Sequence, residues 1–442
     1  MSRRSWDGYL RAGTALGLLV IASAQANAGG FAVREQSVYG QGSSFAGVAA
    51  GGALSSMFWN PATMTQFQGV VSETDVSGLF PSSSNTPVAG TLVSAGFPGT
   101  SNVANAAAVP AGYTSYQLSP SLWLGMSLNA PFGLSVSPPD FWAGRGYAGQ
   151  TLLKTYNAAP SIAWRINDWI SVGAGVQIQY AKASLERGIG GTLGLQATLE
   201  GKGWAYGATA GVTLTPTPTT TIGLGWRSAL NQKIDGALVA TSSLPGSTFG
   251  SVTTTVDLPD IVSLGIRQVV DPRWTLLGTV EWSNWSRIGT ATVSQLNGQP
   301  ATILNGFGGG AVTIPFQYRD GWFFSGGAEY IWNERLTVRG GLGYEISPIT
   351  DQVRTPLVPD NDRFWASVGA TWQVIKGVHF DVAYSHVWVK DTSVNISATS
   401  GNPFYNGVTY IGNVDNHVDI LSVALVIRMD DLEPTLKRAY MK

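Results

Sequence analysis

Ile170–Tyr180 reads ISVGAGVQIQY, and its alternation decides the fold. In an extended chain successive side chains point to opposite faces, so Ile170, Val172, Ala174, Val176, Ile178 and Tyr180 share one face. Ser171, Gly173, Gly175, Gln177 and Gln179 share the other. Leu336, Val338, Leu342, Tyr344 and Ile346 repeat the pattern against Arg335, Thr337, Arg339, Gly341, Gly343 and Glu345. The core face of a β-sandwich would also be apolar, but its opposite face would not carry charges against a Trp-rich side. Apolar outside and polar inside is the signature of a transmembrane barrel.

Composition agrees. Only 12% of the 442 residues are charged, about half the soluble average, while Gly reaches 55 and Trp 16. No apolar run reaches the roughly 18 residues of a membrane-spanning helix, which excludes a helical bundle. No charged or proline-rich linker divides the chain, so one large unit is expected. Arg3, Arg4 and Arg11 precede an apolar LGLLVIA core and Ala26-Asn27-Ala28, the layout of a Sec signal peptide over 1–28 with cleavage after Ala28. There is no Cys, hence neither a disulfide framework nor a lipoprotein anchor. A net charge of −1 supplies no basic field for phosphate chains, so nucleic acid is not a partner. The compartment implied is the bacterial outer membrane, with its lipid around the wall.

Tight turns are signalled at Ser119-Pro120, Asn167-Asp168, Pro216 to Pro218, Asp271 to Arg273, Asn333-Glu334 and Lys376-Gly377. Longer Gly, Ser, Thr and Asn-rich connections fall near 81–107, 133–150, 187–200, 231–252, 288–314, 348–360 and 393–415. Six turns and seven loops join fourteen strands. The fold class is therefore all-β, a 14-stranded antiparallel barrel over 67–429 with short turns and both chain ends in the periplasm. Trp164, Trp274, Trp332 and Trp372 lie near the turns on the outward register and form an aromatic girdle. The last strand, Asn416 to Arg428, carries Leu421, Val423, Leu425 and Ile427 on one face, and a polar tail follows over 430–442.

The stretch before the barrel breaks the rule. Gly29–Met64, GGFAVREQSVYGQGSSFAGVAAGGALSSMFWNPATM, is a run of small residues ending in Asn60, Pro61 and Ala62. Asn60 suits a helix cap and Pro61 its first position. A compact segment over 29–66 fits inside the barrel as a small helical plug.

Chemistry-bearing motifs are few. His379, His386 and His417 have no partners at metal-ligand spacing and read as rim or lumen histidines. No nucleophile elbow, phosphate loop or dinucleotide fingerprint occurs, so catalytic residues, metal and cofactors are all absent from the reading. The inward carboxylates Glu281, Glu329, Glu345 and Asp381 could form an acid and base pair, but the inward Arg227, Arg267 and Arg339 favour a charge-balanced lumen wall. Asn129, Ala130, Pro131, Phe132 and Gly133 come late in the third strand, after Leu122, Leu124, Met126 and Leu128. Proline cannot donate to the ladder, so the strand either ends there or is broken, opening the wall.

Phe31, Glu35-Gln36-Ser37, Gly40-x-Gly42, Phe45-Ala46-Gly47 and Trp59-Asn60-Pro61-Ala62 resemble the plug of the FadL and TodX family of outer-membrane transporters for hydrophobic compounds. The similarity continues through Val109-Pro110, Asn129 to Leu134 and Trp169 to Arg187, and covers the mature chain in layout. The polar end departs from the aromatic terminus usual in such barrels and puts the assembly signal in question. The resemblance implies a fourteen-stranded barrel with an N-terminal hatch and a lateral opening at the kinked third strand, formed by Asn129, Pro131, Phe132 and Gly133. It implies gating by hatch residues Glu35, Gln36, Asn60, Pro61 and Ala62, and ligand contacts by Phe31 and Arg187. The ligand expected is a long-chain fatty acid, or alternatively an aromatic hydrocarbon, released sideways into the membrane by a monomer. A water-filled porin or a barrel hydrolase would be the rival classes.

Overall fold

The computed structural model describes residues 30–188, 196–241, 248–296, 298 and 312–432; the expected signal peptide and the end of the polar tail lie outside them. Val70–Gly90 forms the first strand, Ala107–Ser119 the second, and Leu122–Asn129 with Gly133–Val136 the third. Thr151–Arg165, Ile170–Gly188 and Gln196–Thr217 are the fourth to sixth. The seventh combines Thr220–Arg227 with Leu230–Thr241, and the eighth Thr248–Leu258 with Ile261–Val269. Trp274–Ser283, Gly321–Asn333, Leu336–Ile346, Arg363–Ile375, Val378–Val389 and Tyr410–Arg428 are the ninth to fourteenth. The first strand pairs antiparallel with both the second and the last, so the sheet closes and has no edge to present to lipid.

The registers face as the alternation requires. Val176 is 51% exposed and Gln179 fully buried; Leu342 is 55% exposed and Arg339 only 4%. Trp164, Trp274, Trp332 and Trp372 are exposed on the outer surface near the short turns. A second band, including Tyr156, Trp204, Trp322, Tyr344 and Trp388, marks the opposite boundary.

Several connections read as loops are strands. The expected loop near 231–252 is largely occupied by Leu230–Thr241 and Thr248–Leu258, which pair with each other. The first strand continues to Gly90, and the last starts at Tyr410 rather than Asn416. Ladders between long neighbours hold Gly, Ser and Thr in register beyond the apolar band, overriding the local turn signal.

Residues 30–67 fold against the inner wall as one short α-helix, Val38–Gln41, and three 3-10 helices, Val48–Ala50, Leu54–Phe58 and Pro61–Gln66. Their backbone lies directly on wall glycines. A Cβ at Gly223 would overlap the Ala49 carbonyl, and one at Gly341 would overlap that of Ser43. Glycine at these inward positions serves close approach rather than a turn.

Candidate functional site

The hatch is docked by hydrogen bonds that its own short helices cannot make. Asn60 caps Pro61–Gln66, accepting from Ala62 N at 3.0 Å, while its Nδ2 donates to Ala49 O at 2.8 Å and to Val212 O on the sixth strand at 2.9 Å. Pro61 at the first helical position has no N–H, so it removes a donor that would find no partner within the helix. Two carboxylates of the first strand take other free N–H groups: Asp75 Oδ1 accepts from Val38 N at 3.0 Å and Glu73 Oε2 from Ser55 N at 3.0 Å. In sequence Glu73 and Asp75 are only polar members of an alternating strand, with nothing to mark them as hatch anchors.

The inward charges form the balanced wall expected, with the hatch as a participant. Arg267 Nη2 lies 2.6 Å from Glu329 Oε2, and Arg339 reaches Glu329 at 3.8 Å and Asp381 at 3.4 Å. Tyr39 of the hatch donates to Glu329 and lies beneath the Arg339 guanidinium at 3.8 Å from its ring centroid. Glu281 and Glu345 both meet Arg34 of the hatch, at 2.7 and 3.6 Å. Arg227 differs: it donates to the Phe58 carbonyl at 3.0 Å and packs over the Phe58 ring. Breaking one member would leave a buried charge without its partner, which is costly.

The third strand is broken at Ala130-Pro131. Below the break it pairs with the second strand up to Gly112↔Leu128; above it, Gly133–Val136 pairs only with the fourth. From Asn129 to Gly133 is four steps, but from Asn157 to Lys154 opposite is three. The extra residue is a bulge that reverses which parity faces inward. Leu128 is consequently exposed and Phe132 buried. Contacts of Ser137 N with Val103 O at 2.8 Å and of Ala104 with Val136 bound the resulting window above.

The hatch fills this window from inside. Val33 N donates to Pro131 O at 2.8 Å, and Gly133 N to Phe31 O at 2.9 Å, the bonds a neighbouring strand would otherwise supply. Gln36 closes the lower end: Nε2 donates to Ala130 O at 3.0 Å and Oε1 accepts from Ala130 N at 3.3 Å. Asn129 Nδ2 donates to Tyr113 OH at 2.7 Å, and that hydroxyl donates to Gln36 O. The outcome is neither a strand that simply ends nor an open hole.

Above the hatch, Phe31 sits in an aromatic chamber. Its ring lies 4.9 Å from Trp285, 6.2 Å from Phe316 and 6.3 Å from Phe132, with Leu134, Ile349 and Val358 completing the same cluster. Beside it Gly30, Val136, Val358, Asp360 and Arg363 border a cavity of about 30 Å3, room for water and too small for a long chain. Phe31 thus fills the space between Trp285, Phe316 and Phe132. Arg363 is held by Asp360, with Nε–Oδ1 at 2.8 Å. Arg187 on the fifth strand pairs with Ala197 on the sixth; its side chain lies outside the described residues. Thus Phe31, Gln36 and Asn129 to Gly133 converge at the window, while Glu35 is buried near Arg34 and Arg363. Asn60, Pro61 and Ala62 sit apart, at the base of the hatch.

The model of the family described as Outer membrane protein transport protein (OMPP1/FadL/TodX) matches residues 19–428. The chain belongs to this family. A long-chain fatty acid transport protein of Salmonella typhi is 26% identical over 413 residues, covering 85% of this chain and 91% of that protein. The crystal structure of a Pseudomonas aeruginosa FadL homologue superposes with a TM-score of 0.79 at 22% identity, covering 90% of this chain and 99% of that one. The P. putida toluene transporter TodX gives 0.65 at 16%, covering 85% and 94%. As a member of the FadL/TodX family the protein is an outer-membrane transporter of hydrophobic compounds and not an enzyme.

One expectation is refined. His386 and His417 stack 5.9 Å apart on the outer face of the wall, with His386 Nδ1 2.7 Å from Asp419, rather than in the lumen. Among the described residues no group of ligating side chains could hold a metal.

Glu35, in the segment before the first short helix, has a pH consequence. Its carboxyl is buried and Oε2 has no hydrogen-bond partner. Burial pushes it from 4.5 up to about 7, opposed by Arg34 and Arg363. A docked hatch then holds a proton that a displaced one releases, so docking is favoured most below 4.5 and loses that contribution as pH rises to about 7. Protection factors of hatch amides, corrected for the intrinsic pH dependence of exchange, should fall across this interval and level off above it, and Glu35→Gln should flatten the profile. An unchanged slope in Glu35→Gln would assign the effect elsewhere.

Proposed function

We propose that the protein takes up long-chain fatty acids, holding them in the chamber now filled by Phe31 and releasing them sideways through the window at Asn129, Pro131, Phe132 and Gly133. The observation that carries this reading is the position of Phe31: one residue both fills the apolar chamber and, through its carbonyl, bonds the broken strand. A ligand that displaces its ring therefore also loosens the window. Apolar burial favours such a chamber by roughly 25 cal/mol per Å2. The segment 29–66 acts as the hatch, with Glu35, Gln36, Asn60, Pro61 and Ala62 holding it docked, and the protein works as a monomer.

The fatty-acid choice draws on the names of relatives such as the Salmonella typhi protein and on a cation, Arg187, where the fifth strand enters its long outer loop. The aromatic lining supports the second reading, uptake of aromatic hydrocarbons. Binding of oleate, methyl oleate and toluene to the purified protein separates them. Wild type should prefer oleate, and Arg187→Ala should weaken oleate by about 1.5–3 kcal/mol if its hydrogen bond is desolvated, leaving the ester nearly unchanged. Equal losses for acid and ester, or none, would remove Arg187 from the site; toluene binding tighter than oleate would favour the hydrocarbon reading.

A further inference from the structure

The lipid-facing surface carries a row that transport through the lumen does not use. Lys154 on the fourth strand stands directly opposite Lys182 on the fifth, and Lys182 opposite Lys202 on the sixth. Their parity is that of the exposed Tyr156 and Trp204, so all three belong to the outer face. The next outward row, one pleat nearer the membrane centre, is Tyr156–Tyr180–Trp204, with the Tyr180 and Trp204 rings 5.0 Å apart. These aromatics mark the outer membrane boundary. Three ammonium groups are therefore lined up at headgroup height.

Like charges directly opposite on neighbouring strands, with Cβ atoms about 5 Å apart, repel each other. The nearby carboxylates only partly offset them. Asp235 is opposite Lys202 but lies 3.2 Å from Lys233, and Glu200 points outward two positions from Lys202. Lys154, Lys182, Lys202 and Lys233 against Glu200 and Asp235 leave a local charge of about +2 by simple ionisation at neutral pH. A groove of about 690 Å3 lined by Lys182, Ser184, Glu200 and Lys202 runs beside the row.

We propose that Lys154, Lys182 and Lys202 bind the phosphate groups of an outer-leaflet phosphorylated glycolipid of the lipid A class, whose acyl chains lie against the aromatic row below. Charge complementarity selects phosphate, and the apolar wall directly beneath selects a lipid over a free anion. Lys154 pairs on its other side with Gly133, so the bound headgroup stands at the edge of the window. The site is independent of which compound the lumen carries.

The test uses the full-length protein purified from outer membranes and native mass spectrometry with three probes: diphosphoryl lipid A, its dephosphorylated form, and inorganic phosphate as competitor. Wild type should retain diphosphoryl lipid A and lose it as salt rises. The triple variant K154Q/K182Q/K202Q should bind it about a hundredfold more weakly, while a triple Lys→Arg variant retains it. Heat-modifiable migration on gels checks that both variants fold, and since the three side chains lie on the outer surface, folding is not expected to change. Equal retention by the triple Gln variant, or equal binding of dephosphorylated lipid A, would overturn the proposal. So would displacement by inorganic phosphate, which would make this a free-anion site, or by oleate, which would make it a landing point for a released carboxylate.

Discussion

Removal of Gly29 to Phe58 is expected to turn a plugged barrel into a steadily conducting pore that still inserts into membranes. The fourteen-strand ladder closes through the first and last strands without any hatch residue, so insertion does not require the hatch. The lumen, however, is filled largely by that segment: Val38, Phe45, Leu54 and Ser55 are all fully buried against the wall. Deletion also uncovers six carboxylates that lose a hatch partner, Glu73, Asp75, Glu281, Glu329, Glu345 and Asp360, against three guanidiniums, Arg227, Arg267 and Arg339. The pore should therefore prefer cations. Water can solvate these groups once the lumen is open, so the loss of ion pairs does not unfold the barrel. Single-channel recording in planar bilayers decides it. Conductance as low as that of the intact protein would show that the loops, not the hatch, close the barrel.

Rebuilding the third strand should stop uptake while sparing ligand binding. Asn129 to Gly133 would be replaced by an alternating Val and Thr segment one residue shorter, removing the bulge so that the third strand matches the fourth step for step. Continuous ladder bonds to the second strand would then replace those now made by Phe31, Val33 and Gln36. The chamber keeps Trp285, Phe316, Tyr318 and Ile349, so affinity for oleate should fall only by the contribution of the Phe132 ring, about 0.5–1.5 kcal/mol beyond its area burial. Uptake in cells lacking their own transporter should drop to background. Full uptake by a variant whose crystal structure shows a closed wall would mean that the ligand leaves downward past the hatch.

Arg34, Glu73, Asp75, Asp360 and Arg363 belong to the site yet have no local signature, because a charged residue at an inward strand position looks the same whether it meets water or a buried partner. Phe132 shows the same limit more sharply. Continued alternation from Leu128 would have placed it outside, and only the four-against-three register with the fourth strand puts it in the chamber.

The period-two alternation, the turn signals and the small-residue run determined the barrel, its strand number and its plug without help from the structure. Those properties are local: a strand at a lipid boundary must alternate, and a segment that breaks the alternation must go elsewhere. Tertiary structure alone decided that Phe31 to Val33 complete the broken strand, that Arg34 joins Glu281 and Glu345, and that three lysines from three strands share one row. Each of these depends on register between segments far apart in the chain. A shift of one residue would move every side chain to the other face, and the sequence of a single strand carries no record of its neighbour's register.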